Sequence, residues 1–329
     1  MSAPILSITS EHIKKAATCL KSGELVSFPT ETVYGLGALA SDARAVAAIY
    51  AAKERPSFNP LIAHYANEQM LAGDVELTKS AQQLIQAFWP GPLTLVLKRS
   101  ETCQVAALAS AGLDSLAVRM PSHPDARALI TETGGPIVAP SANLSGRLSP
   151  TTAQHVAEQL KNRISLILDG GPCADGLEST ILDMRGDTAI LLRPGPVTAE
   201  DIEQVTGFAI EPYAASSDEA EASLSPVAPG QLTSHYAPKA PLRLNATSKQ
   251  EGETYIGFGA SIADADFQLS DNGNLTEAAA RLFDILHQAD ACGQPIAIAP
   301  ITAQGLGLAI NDRLQRAAAP RDADIKKLK

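Results

Sequence analysis

Short apolar runs that each end on a polar or cationic residue, with helix-like stretches between them, constrain this chain more than any other feature. Glu24-Leu25-Val26-Ser27-Phe28 runs into Pro29, Leu61-Ile62-Ala63 delivers His64, Ser115 to Met120 carries Arg119 to Pro121, and Ala189 to Leu192 hands Arg193 to Pro194-Gly195. Leu93 to Leu97, Pro136 to Ala139, Ser165 to Asp169 and Glu178 to Asp183 read the same way. Runs of this length bounded by Pro, Gly and Asn are expected to be buried strands. Helical spacing covers Glu11 to Ser22 (Ser10 as N-cap, Gly23 as stop), Ala43 to Ala52, one or two helices within Leu71 to Phe88, Asp125 to Thr133, and Thr151 to Leu160. The alternation, sustained to about Gly207, predicts an α/β domain with a mixed sheet.

From Ala209 to Pro229 the composition shifts to Ala, Ser, Pro, Glu and Asp without one Lys or Arg. Such a stretch is expected to be an extended linker. Thr233-Ser234-His235-Tyr236-Ala237-Pro238 then gathers hydroxyls, an imidazole and a phenol, more than spacing requires, so it is expected to dock at a specific place. Strand-like runs over 241–245, 254–258, 267–269 and 294–299, with helices over 275–291 and 308–319, predict a small Rossmann-like α/β domain. The expected division is a first domain over 1–208, a linker over 209–239 that folds over the site, and a C-terminal domain over 240–329.

Several function classes are disfavoured. Cys19, Cys103, Cys173 and Cys292 lie far apart, which argues against a zinc site and a disulfide framework. No basic start followed by an apolar core opens the chain and no apolar run approaches membrane-spanning length, so a cytoplasmic protein is expected. The net charge of −10 disfavours a life on non-specific nucleic-acid contacts, although a local basic groove stays open. There is no G-x-x-x-x-G-K-[ST] and no G-x-S-x-G, and Gly35-x-Gly37, Gly257-x-Gly259 and Gly305-x-Gly307 each lack a third glycine. No His/Cys or paired-carboxylate spacing offers a metal site made of protein ligands.

Three clusters carry chemistry. Lys53 and Arg55 stand two apart beside Pro56; if extended, both could reach one anion, while a solvated helix end is the alternative. Pro29 to Gly37 reads as a polar turn with Thr30, Glu31 and Thr32, its glycines either letting backbone approach a ligand or merely serving the turn. Ser141-Ala142-Asn143-Leu144-Ser145-Gly146 would bind phosphate, ribose or an amino acid, or else cap the next helix. With Arg119 and Arg193 at strand ends, the inventory suits a nucleotide-handling α/β enzyme that also holds a small zwitterion.

Phe28-Pro29-Thr30-Glu31-Thr32-Val33-Tyr34-Gly35-Leu36-Gly37, Lys53-x-Arg55-Pro56-x-x-Asn59-Pro60-Leu61, Val118-Arg119-Met120-Pro121 and Ala139-Pro140-Ser141-Ala142-Asn143-x-Ser145-Gly146 resemble the signatures of the YrdC-like family of threonylcarbamoyl-AMP synthases. Ser234-x-Tyr236-x-Pro238 and Gly305 to Arg313 resemble its two-domain branch. The resemblance implies a YrdC-like twisted mixed-sheet domain and a reaction of L-threonine, bicarbonate and ATP that releases pyrophosphate. The product would pass to threonylcarbamoyl-transfer proteins that modify an adenosine of tRNA. Lys53, Arg55, Ser141 and Asn143 match the family's catalytic tetrad; Thr32, His64, Arg119 and Ser179 would surround threonine. Asn59, Ser115, Ser149, Arg193 and Tyr236 would join the tetrad around ATP, with Mg²⁺ held mainly by the phosphates. An RNA-binding module without catalysis, or a carbamoyl-adenylate enzyme of another pathway, is the alternative.

Overall fold

The computed structural model describes residues 2–186, 188–212, 228–230, 235–260 and 264–320. Most of the expected linker, Ser234 included, lies outside the described residues.

In chain order the strands of the first domain are β1 (Ile5–Ser7), β2 (Val26–Phe28), β3 (Gly35–Leu39), β4 (Ile62–His64), β5 (Leu93–Lys98), β6 (Ser115–Arg119), β7 (Ile137–Val138), β8 (Leu166–Asp169), β9 (Thr180–Asp183), β10 (Ala189–Arg193) and β11 (Ile210–Pro212). They form one sheet in the order β1-β8-β2-β3-β7-β4-β6-β5-β9-β10-β11, with parallel and antiparallel pairs mixed. Its helices are α1 (Ser10–Lys21), α2 (Ala43–Lys53), α3 (Glu68–Leu71), α4 (Lys79–Phe88), α5 (Pro124–Thr133), α6 (Ala153–Leu160) and α7 (Ala199–Thr206). The near-continuous apolar character of β2, β4 and β6 follows from their burial on both faces.

Local chemistry sets the helix ends. α1 is capped by Thr9, whose hydroxyl accepts from the His12 amide at 3.1 Å, one residue before the Ser10 expected from sequence. Gly134 ends α5 at φ 78°, a conformation that glycine adopts without steric cost. Thr198 and Asp201 form a capping box on α7, a helix absent from the sequence reading.

Three expectations change. Lys53 is the last residue of α2, closed by Glu54 in the left-handed region, so the cation pair does not lie on an extended stretch. Gly35–Leu39 is a strand rather than part of a polar turn, and Gly37 serves packing: a Cβ there would stand 2.8 Å from the Phe28 ring and 3.0 Å from Ile137. The first sheet also reaches past residue 208, because Ile210–Pro212 pairs with β10 in parallel.

The second domain stacks β12 (Leu242–Arg243), β13 (Thr254–Gly257), β14 (Phe267–Gln268) and β15 (Ile296–Ile298) in the parallel order β12-β15-β13-β14, as its Rossmann-like reading anticipates. Two helices, α8 (Leu275–Ala291) and α9 (Leu306–Ala318), complete it. Its core of Ile256, Leu282, Phe283, Leu286, Ile310 and Leu314 is continuous with Val33, Leu148 and Leu177 of the first domain and with Tyr236. Backbones meet at this border: a Cβ on Gly176 would stand 2.5 Å from the carbonyl of Ala279. Nearby, His155 of α6 stacks on His287 of α8 at 3.9 Å between ring centroids, and His287 Nε2 lies 3.2 Å from the Ser149 carbonyl.

Candidate active site

Strand direction brings the site together. β6 and β10 run one way and β9 the other, so the ends of the first two and the start of the third share an edge. Arg119, Arg193 and Ser179 therefore converge, and Ser179 Oγ lies 2.7 Å from Thr94 Oγ1 of β5. His64 is the register partner of Arg119 across the β4–β6 pair. The turn after β2 is held by Thr30, whose hydroxyl accepts from the Thr32 and Val33 amides and donates to the Val33 carbonyl at 2.6 Å. It presents Thr32, which accepts from Arg119 Nη1 at 3.0 Å.

Thr32, His64, Arg119, Ser179 and Arg193 line a cavity of about 50 Å³. Eight of the residues predicted to bind substrate face it: Thr32, Arg55, His64, Arg119, Ser141, Ser179, Arg193 and Tyr236. Lys53, Asn59, Ser115, Asn143 and Ser149 are buried but do not line it, and Ser115 begins β6, at the end of the strand opposite Arg119. Lys53 Nζ donates to the carbonyls of Ser141 and Asn143, each at 2.5 Å, and Ser141 Oγ donates to Asn143 Oδ1 at 2.5 Å. Thus three of the four residues of the predicted tetrad are in contact, and the fourth, Arg55, donates to the carbonyls of Asn59 and Pro60. Asn59 Oδ1 and Ser115 Oγ are buried without a hydrogen-bond partner, an arrangement that costs free energy until something fills it.

Burial and mutual repulsion tune the cations. Burial, with the nearby charge of Arg55, holds Lys53 well below the usual lysine range. Burial pushes Arg55 down to about 10, which leaves it charged at neutral pH. Arg193, also lowered by burial, donates to Ser179 Oγ at 3.1 Å and to the Ser179 carbonyl at 3.0 Å. His64, driven down to about 3 by burial and by Arg119, is neutral, and its Nδ1 donates to the Ile62 carbonyl at 3.1 Å. Buried positive charge lining a cavity of low dielectric favours a polyanion.

Sequence reasoning assigned no role to several groups here. Glu31 pairs with Arg119 (Nη2 to Oε1, 2.7 Å); burial alone would raise its pKa, but Arg119 outweighs that and the net shift is downward. Glu178 lines the cavity with Pro229, Gly230 and His235. The two acids adjoin Thr32 and Ser179, which were singled out, and that adjacency was the signal. Arg119 Nε also donates to the Gly91 carbonyl at 3.3 Å, in the turn that follows Trp89. Trp89 itself donates to the Leu93 carbonyl at 2.7 Å.

Residues 18–195 match the family model of Sua5, YciO and YrdC proteins described as telomere recombination. Residues 197–319 match the model described as threonylcarbamoyl-AMP synthase, C-terminal domain. The chain belongs to the Sua5–YciO–YrdC family. A threonylcarbamoyl-AMP synthase of Bacillus subtilis is 43% identical over 96% of this chain and 95% of its own. One of Pyrococcus abyssi is 43% identical over 94% of each. The crystal structure of P. abyssi Sua5 complexed with L-threonine superposes with a TM-score of 0.86 at 40% identity, covering 97% of this chain and 98% of that one. The two-domain Sua5 architecture is thus shared over nearly the whole chain, and like these synthases the chain is an enzyme. No helix among the described residues is long and apolar enough to cross a membrane.

Proposed function

We propose that this enzyme makes L-threonylcarbamoyladenylate from L-threonine, bicarbonate and ATP, releasing pyrophosphate, as the first step of threonylcarbamoyladenosine formation in tRNA. One observation carries the reading: a single cavity gathers Arg55, Ser141, Arg193 and Tyr236, suited to a nucleotide, with Thr32, His64, Arg119 and Ser179, suited to a small amino acid. Similarity to synthases of that name supports it.

The chemistry asks for placement more than for a strong base. The threonine amine and bicarbonate form a carbamate with loss of water; a carbamate oxygen then attacks the α-phosphorus, and the bond to pyrophosphate breaks. This is nucleotidyl transfer, and positioning with charge neutralisation supplies most of its acceleration. Arg119 takes the threonine carboxylate in bidentate fashion, exchanging Glu31 for it. Arg55 and Arg193 neutralise the triphosphate, while Lys53 fixes the Ser141–Asn143 loop through two carbonyls. Mg²⁺ would enter on the nucleotide: no group of three His, Cys, Asp or Glu side chains able to hold a metal occurs among the described residues, and Glu178 is engaged by Arg313. His235 and Tyr236 cover the cavity and would keep water from the carbamate and the adenylate.

The test is pyrophosphate release assayed with L-threonine omitted, then bicarbonate. Release should depend on both; ATP turnover indifferent to either would defeat the reading.

A further inference from the structure

Arg313 of α9 belongs to the second domain, yet its guanidinium works inside the first. It is 1% exposed. Its Nε donates to Glu178 Oε2 at 2.9 Å, its Nη2 to the Glu178 carbonyl at 3.3 Å, and its Nη1 to the Pro194 carbonyl at 2.9 Å and to Asp312 Oδ2 at 2.8 Å. It also lies over the Tyr236 ring, 5.5 Å from the centroid, with Phe283 of α8 on the same tyrosine at 5.7 Å. The other Glu178 oxygen accepts from Ser149 Oγ.

Each of these contacts ends next to one side of the cavity. Glu178 holds Ser149, Pro194 follows Arg193, and Tyr236 closes the space between them. Arg313 makes no hydrogen bond to Thr32, His64 or Arg119, three of the residues suited to the amino acid; the fourth, Ser179, follows Glu178 in the chain. A planar fork that bonds two carboxylates, two carbonyls and a ring face at once cannot be copied by a point-charge ammonium.

We infer that Arg313 is a positioning residue through which the docked C-terminal domain shapes the ATP side of the cavity, by fixing Glu178 with Ser149, the Arg193–Pro194 strand end and Tyr236. It deepens the proposed function and rests on it. The second domain thereby has a task that a spacer would not have: it completes the nucleotide subsite. Removing the guanidinium would strand the buried Glu178 carboxylate, and its repulsion of a triphosphate would add to the misplacement of Tyr236.

The test uses the full chain with Arg313→Met and Arg313→Lys, titrated separately with ATP and with L-threonine by calorimetry. Arg313→Met is expected to weaken ATP binding by about tenfold or more and to leave L-threonine affinity within about twofold. Arg313→Lys, which keeps the charge and loses the fork, should show a smaller loss of the same kind, and it carries the test if the Met variant does not fold. ATP affinity unchanged in the substituted chain, or equal losses for both ligands, would overturn the inference. Pyrophosphate release by the unsubstituted chain is measured alongside: its absence would overturn the reaction, while the affinity comparison would still decide the role of Arg313.

Discussion

Arg119 Nη2 lies 2.7 Å from Glu31 Oε1, with both side chains less than a tenth exposed, so the guanidinium best suited to an amino-acid carboxylate already holds a carboxylate. A buried ion pair is costly to break from one side and easy to exchange for an equivalent partner. On the proposed function, ligand entry at Arg119 would be an exchange of anions rather than the filling of a vacant charge.

Glu31→Gln should consequently lower the stability of the ligand-free protein by about 3 kcal/mol, since Arg119 is left buried and unpaired. L-threonine should restore more stability to this variant than to the parent. Thermal unfolding with and without L-threonine reads both; an identical ligand-induced shift in the two proteins would count against the exchange.

Arg55→Ala should reduce pyrophosphate release by about 10²–10³-fold, the usual consequence of deleting one preorganised charge at a reacting phosphate. Lys53→Ala should do the same and in addition destabilise the fold by about 1–3 kcal/mol, because the Ser141 and Asn143 carbonyls lose their donor. Steady-state rates beside urea midpoints separate the two effects. Near-normal turnover in either variant would contradict the placement of these cations.

Tyr236→Ala opens the cover. Tyr236 is 1% exposed, and its hydroxyl stands where a Cβ on Gly230 would meet it at 3.0 Å. ATP consumption per molecule of adenylate recovered should rise as water reaches the product. A ratio equal to that of the parent protein would remove the cover from the account.

His287 makes stability depend on pH. Burial first, and the stacked His155 second, drive it down to about 4 from the ordinary 6.5. As pH falls through that window the unfolded chain takes up the proton before the folded one, so stability is lost, by on the order of 2 kcal/mol. Asp175, raised to about 6 by burial and by Glu31, acts in the opposite direction between 6 and its ordinary 3.8. Comparison with His287→Gln cancels that contribution, and the variant should show the shallower loss between pH 7 and pH 5. Parallel curves would refute the assignment.

Much of this was legible in the residues, and what was missed shares a cause. Runs such as Ser115–Arg119 and Ala189–Arg193 announce themselves because apolar stretches bounded by proline can only be short buried strands. Helix α8 spans the residues expected of it, its Asn274 cap and apolar stripe being local signals. Gly35 to Gly37 reads as the end of a turn because Gly37 is explained only by the Phe28 ring and Ile137, which arrive from other strands. Ile5–Ser7 is three residues at a sheet edge and half open, too short to impose a period. At the site, side chains that face substrate were found through their own chemistry, whereas Glu178 and Arg313 matter through each other across 135 residues of chain. Pairings of that reach exist only in the folded molecule.

The turn after Trp89 hands a carbonyl from Gly91 to Arg119, and the chain contains one tryptophan. The indole thus stands two residues from the carbonyl that anchors Arg119, where the proposed swap of carboxylates would occur. Its emission offers a built-in optical gauge of that swap, free of any attached dye, on which the order of substrate arrival could be followed in real time.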